Sequence, residues 1–72
     1  MAKKSILFKF GEKLRKLRKQ KGWSQRDLAK RAGVSRGYLS VIESKRPPDV
    51  TVDVIQKLAK AFRIPISDLL RF

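Results

Sequence analysis

The stretch SQRDLAKRAGVSRGYLSVIE, residues 24–43, limits the possible folds of this chain more than any other. Leu28, Ala29 and Ala32 fall on one side of a helical run that opens at Ser24, and Gly33 cuts that run short. Ser35 opens a second run carrying Leu39 and Ile42. Both serines are strong N-caps, Asp27 stands where it can complete a weaker form of capping box with Ser24, and Gly33 suits the positive φ that ends a helix. Two short helices need more caps and turns than one long helix, so the geometry of the break must matter. A three-residue turn containing glycine between two short helices is how a helix-turn-helix is made.

The remaining pattern is helical too. Phe10, Leu14 and Leu17 stand at i, i+4 and i+7 among Glu12, Lys13, Arg15, Lys16 and Lys19. This first helix should end at Gly22, with Lys19 and Lys21 suiting its dipole. Ile6 and Leu7 extend the stripe back to Ser5, although Gly11 is a poor interior residue. Trp23 should cover the core from the join, and the small Ala29 and Ala32 should let another helix come close. SKRPPD is a loop, since Pro47 and Pro48 cannot continue a helix and bias Arg46 toward extended backbone. Thr51 should cap a fourth helix with Val54, Ile55, Leu58, Ala59 and Phe62 inside, and Ser67, after Pro65, a last turn with Leu69 and Leu70. The expected fold is therefore all-α, a compact five-helix bundle with the helix-turn-helix pair at 24–44. Residues 10–72 form the domain, and residues 1–9 are an extension or the first turns of helix 1. Leu14, Leu17, Leu28, Ala29, Val34, Leu39, Ile42, Ile55, Leu58 and Leu69 are the expected core.

Composition narrows the function classes. A chain of 72 residues has room for one small core, burying about 60% of its unfolded surface. It has no cysteine and no histidine, which removes disulfides, thiol nucleophiles and imidazole acid–base chemistry. Six scattered acids and no glycine-rich phosphate loop leave no catalytic constellation, so no enzyme is expected, and no cofactor, metal or small-molecule ligand. MAKKSILFKF starts like a signal peptide, but Lys9 interrupts its apolar run long before the ~7–15 residues required. A cytoplasmic protein is the expectation.

Charge points to the partner. Residues 1–49 hold fifteen bases and four acids, while residues 50–72 hold four and two, within a net +13. Such asymmetry on a small domain indicates a polyanion, nucleic acid before anionic lipid. In a helix-turn-helix the first helix of the pair lies across the duplex backbone and the second is angled into the major groove.

The segment GEKLRKLRKQKGWSQRDLAKRAGVSRGYLSVIESKR…LAKAFRIPISDLL resembles the helix-turn-helix family of phage Cro and repressor proteins and their bacterial relatives, over residues 10–70. S-Q-x-x-L-A followed by G-V-S and Y-L-S-x-I-E at fixed spacing carries the likeness. It implies a lambda repressor-like five-helix domain that binds double-stranded operator DNA in a bacterial or phage setting, usually as a homodimer on a palindromic site. Ser35, Arg36, Gly37, Ser40 and Val41 match base-facing positions. Arg36 is the strongest reader, since a guanidinium bonds guanine O6 and N7 together; its alternative role is a phosphate contact. Val41 is either a partner for a thymine methyl or a tolerated surface residue, and Gly37 either lets the backbone come close or leaves room for Arg36. Gln25 matches a glutamine that bonds phosphate and braces the first residue of the recognition helix, with Ser24 and Arg26 beside it at a helix start that favours phosphate. Tyr38, Ser44 through its amide, Lys45 and Arg46 match further backbone contacts, and the Tyr38 ring also suits packing. Many relatives have Asn-Gly at Ser44-Lys45, and the loop here is one residue longer. Arg18 and Glu43 match a structural ion pair.

Other classes fit less well. Helix 1 is basic and amphipathic like a membrane-surface binder, but the bundle needs its apolar stripe. An antitoxin or bridging factor would keep the same fold mainly to hold a protein partner, and no partner-binding segment is expected before Ser5 or after Phe72. Ile64, Ile66, Leu69, Leu70 and Phe72 exceed the needs of one tiny core, which places the expected dimer contact in the C-terminal helix region.

Overall fold

In the computed structural model, which describes residues 3–72 and the side chains from Ser5 onward, five helices follow the capping signals. They are α1 (Lys3–Gln20), α2 (Gln25–Ala32), α3 (Arg36–Ile42), α4 (Val52–Phe62) and α5 (Ile66–Leu69). Residues 3–9 thus belong to the first helix; Met1 and Ala2 of the expected extension lie outside the described residues.

Gly11 does not interrupt α1, because it is where α1 meets α3. A Cβ built there would overlap the Ile42 carbonyl oxygen, so only glycine allows the two backbones this close. The intrinsic loss of helix propensity is offset by a long-range contact invisible to local pattern.

The helix ends follow their side chains. Gly22 (φ 72°) and Gly33 (φ 73°) take the left-handed conformation, and the Gly33 and Val34 amides both donate to the Ala29 carbonyl. The capping box of α2 is complete: Ser24 Oγ accepts from the Asp27 amide at 3.0 Å and Asp27 Oδ2 from the Ser24 amide at 2.9 Å. Ser35 Oγ accepts from the Tyr38 amide at 3.0 Å, and Thr51 Oγ1 from the Val54 amide at 3.3 Å. Ser67, the expected cap of the last turn, does not cap it. Pro65 stands there, with φ −70°, and its carbonyl accepts from the Asp68 and Leu69 amides, so Ser67 is already inside α5. Arg63 closes α4 with φ 57°, an L-residue in a conformation that favours glycine.

Phe10, Leu14, Leu28, Ala29, Ala32, Leu39, Ile42, Leu58, Ala59, Phe62 and Leu69 form one buried core to which all five helices contribute. Leu17, Val34 and Ile55, expected inside, are half-buried and pack against its edge. Trp23 covers the core from the α1–α2 join, stacked on Phe62 with centroids 5.4 Å apart, and the Arg31 guanidinium lies 4.5 Å from the centre of its ring. No described helix is long and apolar enough to cross a membrane.

Candidate nucleic-acid interface

Six of the seven residues of α3 divide between two environments, with Tyr38 half-buried between them. Leu39 and Ile42 are fully buried, whereas Arg36, Gly37, Ser40 and Val41 are exposed, Val41 at 46%. At 100° per residue, Arg36, Ser40, Gly37 and Val41 occupy one continuous outward arc. The helix begins at the Ser35 cap, whose hydroxyl oxygen is taken by the Tyr38 amide while its proton stays available to donate.

The inner side is fixed by a polar clamp. Arg18 donates from Nε to Glu43 Oε2 at 3.0 Å and from Nη2 to Oε1 at 2.9 Å, a bidentate pair, and from Nη1 to the Trp23 carbonyl at 2.9 Å. The side chains are only 11% and 2% exposed, and no described buried polar side-chain atom lacks a partner. Gln25 Nε2 donates to the same Glu43 Oε1 at 3.3 Å. Helices α1 and α2 therefore both hold the end of α3. Gln25 thus braces the end of α3 through a buried carboxylate that also holds Arg18.

Arg18, Ser24, Gln25, Arg26 and Arg36 line an open cleft of about 490 Å³ beside the first residues of α2 and α3. Arg26 and Arg36 are exposed there. The capping box engages the amide and the hydroxyl oxygen of Ser24 and leaves its hydroxyl proton able to donate. The backbone and hydroxyl of Ser24 hold the Asp27 carboxyl below its ordinary pKa, backbone bond first.

Beyond α3 the loop departs from expectation. Ser44 was to offer its amide outward, but that amide donates to the Val41 carbonyl at 3.1 Å and Ser44 Oγ donates to the same oxygen at 2.6 Å. Ser44 Oγ also accepts from the Arg46 amide at 3.3 Å. The terminal carbonyls of α3 need donors, and Ser44 supplies them in place of a ligand. Tyr38 packs its ring against the core and donates its hydroxyl to the Asp49 carbonyl at 3.4 Å, which ties the loop back to α3. Lys45 and Arg46 remain exposed on the loop.

Sequence reasoning missed three features: the Gln25–Glu43 bond, the Gly11 crossing and the left-handed Arg63. Gly11 carried a signal, being a glycine inside an otherwise strong helical pattern.

A short α2, a glycine turn and an outward-facing α3 clamped from within define a helix-turn-helix protein. The helix-turn-helix family model matches residues 14–69, and the chain belongs to this family. It is similar to the HTH-type transcriptional regulator SinR of Bacillus subtilis, 32% identical over 60 residues, which cover 83% of this chain and 54% of SinR. A hypothetical transcription factor of Neisseria meningitidis is 39% identical over 57 residues, covering 79% of this chain and 53% of that protein. The chain thus spans about half the length of these relatives. Among solved structures, the restriction-modification controller protein C.AhdI of Aeromonas hydrophila superposes with a TM-score of 0.84 at 40% identity, over 90% of this chain and 97% of that one. The clp gene regulator ClgR of C. glutamicum gives 0.79 at 32%, over 90% and 83%.

Proposed function

We propose that this chain is a transcription regulator that binds double-stranded operator DNA with the outer face of α3 in the major groove. The observation that carries this reading is the division of α3: a braced inner side beneath an open arc of Arg36, Gly37, Ser40 and Val41. The relatives named as transcription regulators support it. Arg36 reads guanine, Ser35 and Ser40 offer hydroxyls to base edges, and Gly37 and Val41 complete the reading face. Gln25, the Ser24 hydroxyl, Arg26, Lys45 and Arg46 hold phosphates on either side, aided by the Gln25 and Arg26 amides at the α2 start.

On this reading the regulator is a cytoplasmic repressor on a palindromic site, acting by occupancy or by touching polymerase. Leu69 is consumed by the core and Ile64 and Ile66 pack at its edge, but Leu70 and Phe72 stay exposed, Phe72 at 50%. Two copies meeting through this region present their α3 helices about 34 Å apart, one turn of DNA.

Selection of bound duplexes from a random pool, followed by titration in increasing salt, tests the reading. The expected outcome is a symmetric motif and an affinity that falls steeply with salt, as several phosphates per subunit are neutralised. A flat salt response, or a pool that never enriches a motif, contradicts it.

A further inference from the structure

We infer that Gly37 determines specificity through the side chain it lacks, by leaving a seat on α3 for the 5-methyl group of a thymine. This inference rests on the DNA-reading role of α3 proposed above.

Two glycines lie inside helices, and they contrast. At Gly11 a Cβ would overlap the Ile42 carbonyl oxygen, so packing demands glycine. At Gly37 a Cβ would meet nothing within 4 Å, and only Gly22 and Gly33 among the glycines have positive φ. Neither packing nor backbone conformation asks for glycine at position 37, although alanine there would make the better helix. What glycine offers here is open space on an exposed surface, room for something outside the chain to approach the backbone closely.

The neighbours of Gly37 identify the chemistry. Residues four apart stack on one side of a helix, so the open face of α3 is two short rows. Arg36 and Ser40 form a polar row; Gly37 and Val41 form an apolar one. The second row is a notch, with bare backbone at Gly37 as its floor and the exposed Val41 side chain as its wall. On the floor of the major groove the thymine 5-methyl is the apolar group presented. The polar row suits guanine through the Arg36 guanidinium. Side by side, the rows read a guanine next to a thymine.

The test compares the wild type with Gly37→Ala on two 20-bp duplexes, one enriched from a random pool and one of scrambled sequence, and on copies of the first with single thymines replaced by uracil, which lacks only the methyl. Gly37→Ala should unfold at an equal or higher temperature and lose about ten-fold in affinity for the enriched duplex, against less than about two-fold for the scrambled one. Uracil at one position should weaken the wild type about four-fold and leave Gly37→Ala unaffected. Full affinity of Gly37→Ala for the enriched duplex, equal losses on both duplexes, or a wild type indifferent to every uracil would overturn the inference. A wild type that prefers neither duplex would instead remove the DNA-reading role on which it stands.

Discussion

On one side of α3, Leu39 and Ile42 have no exposed surface and Glu43 is gripped by Arg18 and Gln25; on the other, Arg36, Gly37, Ser40 and Val41 stand open to solvent. Seven residues thus carry two kinds of specification. The inner side states where the helix is and in which direction it points, through apolar burial and a bidentate ion pair. The outer side contributes almost nothing to stability and is open to the demands of a ligand. Substitutions on the two sides should accordingly fail in different assays: inner changes in unfolding, outer changes in binding.

The largest effect should come from Glu43→Ala, which strands the Arg18 charge in a nearly closed site. A loss of about 3–5 kcal/mol is expected in urea unfolding, and a loss below 1 kcal/mol would mean the clamp is solvated after all. Gly11→Ala follows, with about 1–3 kcal/mol lost as the α1–α3 crossing is forced apart, despite the better helix propensity of alanine. Its sign should be opposite to that of Gly37→Ala, which should gain about 0.5–1 kcal/mol in the same unfolding assay. Arg36→Ala should cost about 1–3 kcal/mol on an enriched duplex, little on scrambled DNA, and nothing in melting temperature. Equal losses on both duplexes would demote Arg36 to a phosphate contact.

Smaller effects sharpen the contrast away from α3. Arg63→Gly should stabilise the fold by about 1 kcal/mol, because the left-handed end of α4 costs an L-residue that much. Asp27, whose pKa is lowered by its bonds to Ser24, stabilises α2 as the carboxylate. That contribution is full above the unfolded pKa of about 3.9 and drains away as pH falls through the lower folded value. The melting temperatures of the wild type and Asp27→Ala should therefore converge in strong acid, and a constant gap down to the lowest pH would show that the capping box is not charge-assisted.

Much of this architecture was legible because its signals are local. Ser24, Gly33, Ser35 and Thr51 each start or stop a helix through bonds to residues three or four away, and each does so in the structure. The inner side of α3 follows from the spacing of Leu39 and Ile42, whereas its open arc was legible only through the family resemblance. What escaped was long-range. Gly11 looked like a weakness until the Ile42 carbonyl was found against it, and Gln25 turned toward Glu43 because that carboxylate is brought within reach only by folding. Ser44 and Ser67 were misplaced for a related reason: each can serve as a cap or a donor in several directions, and the neighbouring backbone decides which. Arg63 carried no sign, since nothing in its side chain foretells a positive φ.

Following the backbone amides by NMR as an enriched 20-bp duplex is added would address α3 most directly. The largest shifts should fall on residues 35–41 and on Gln25 and Arg26, with the C-terminal residues around Leu70 and Phe72 changing only if a second copy binds there. Shifts gathered instead on the lysines of α1, with Arg36, Ser40 and Val41 unmoved, would show that the exposed arc of α3 is not the surface that meets DNA.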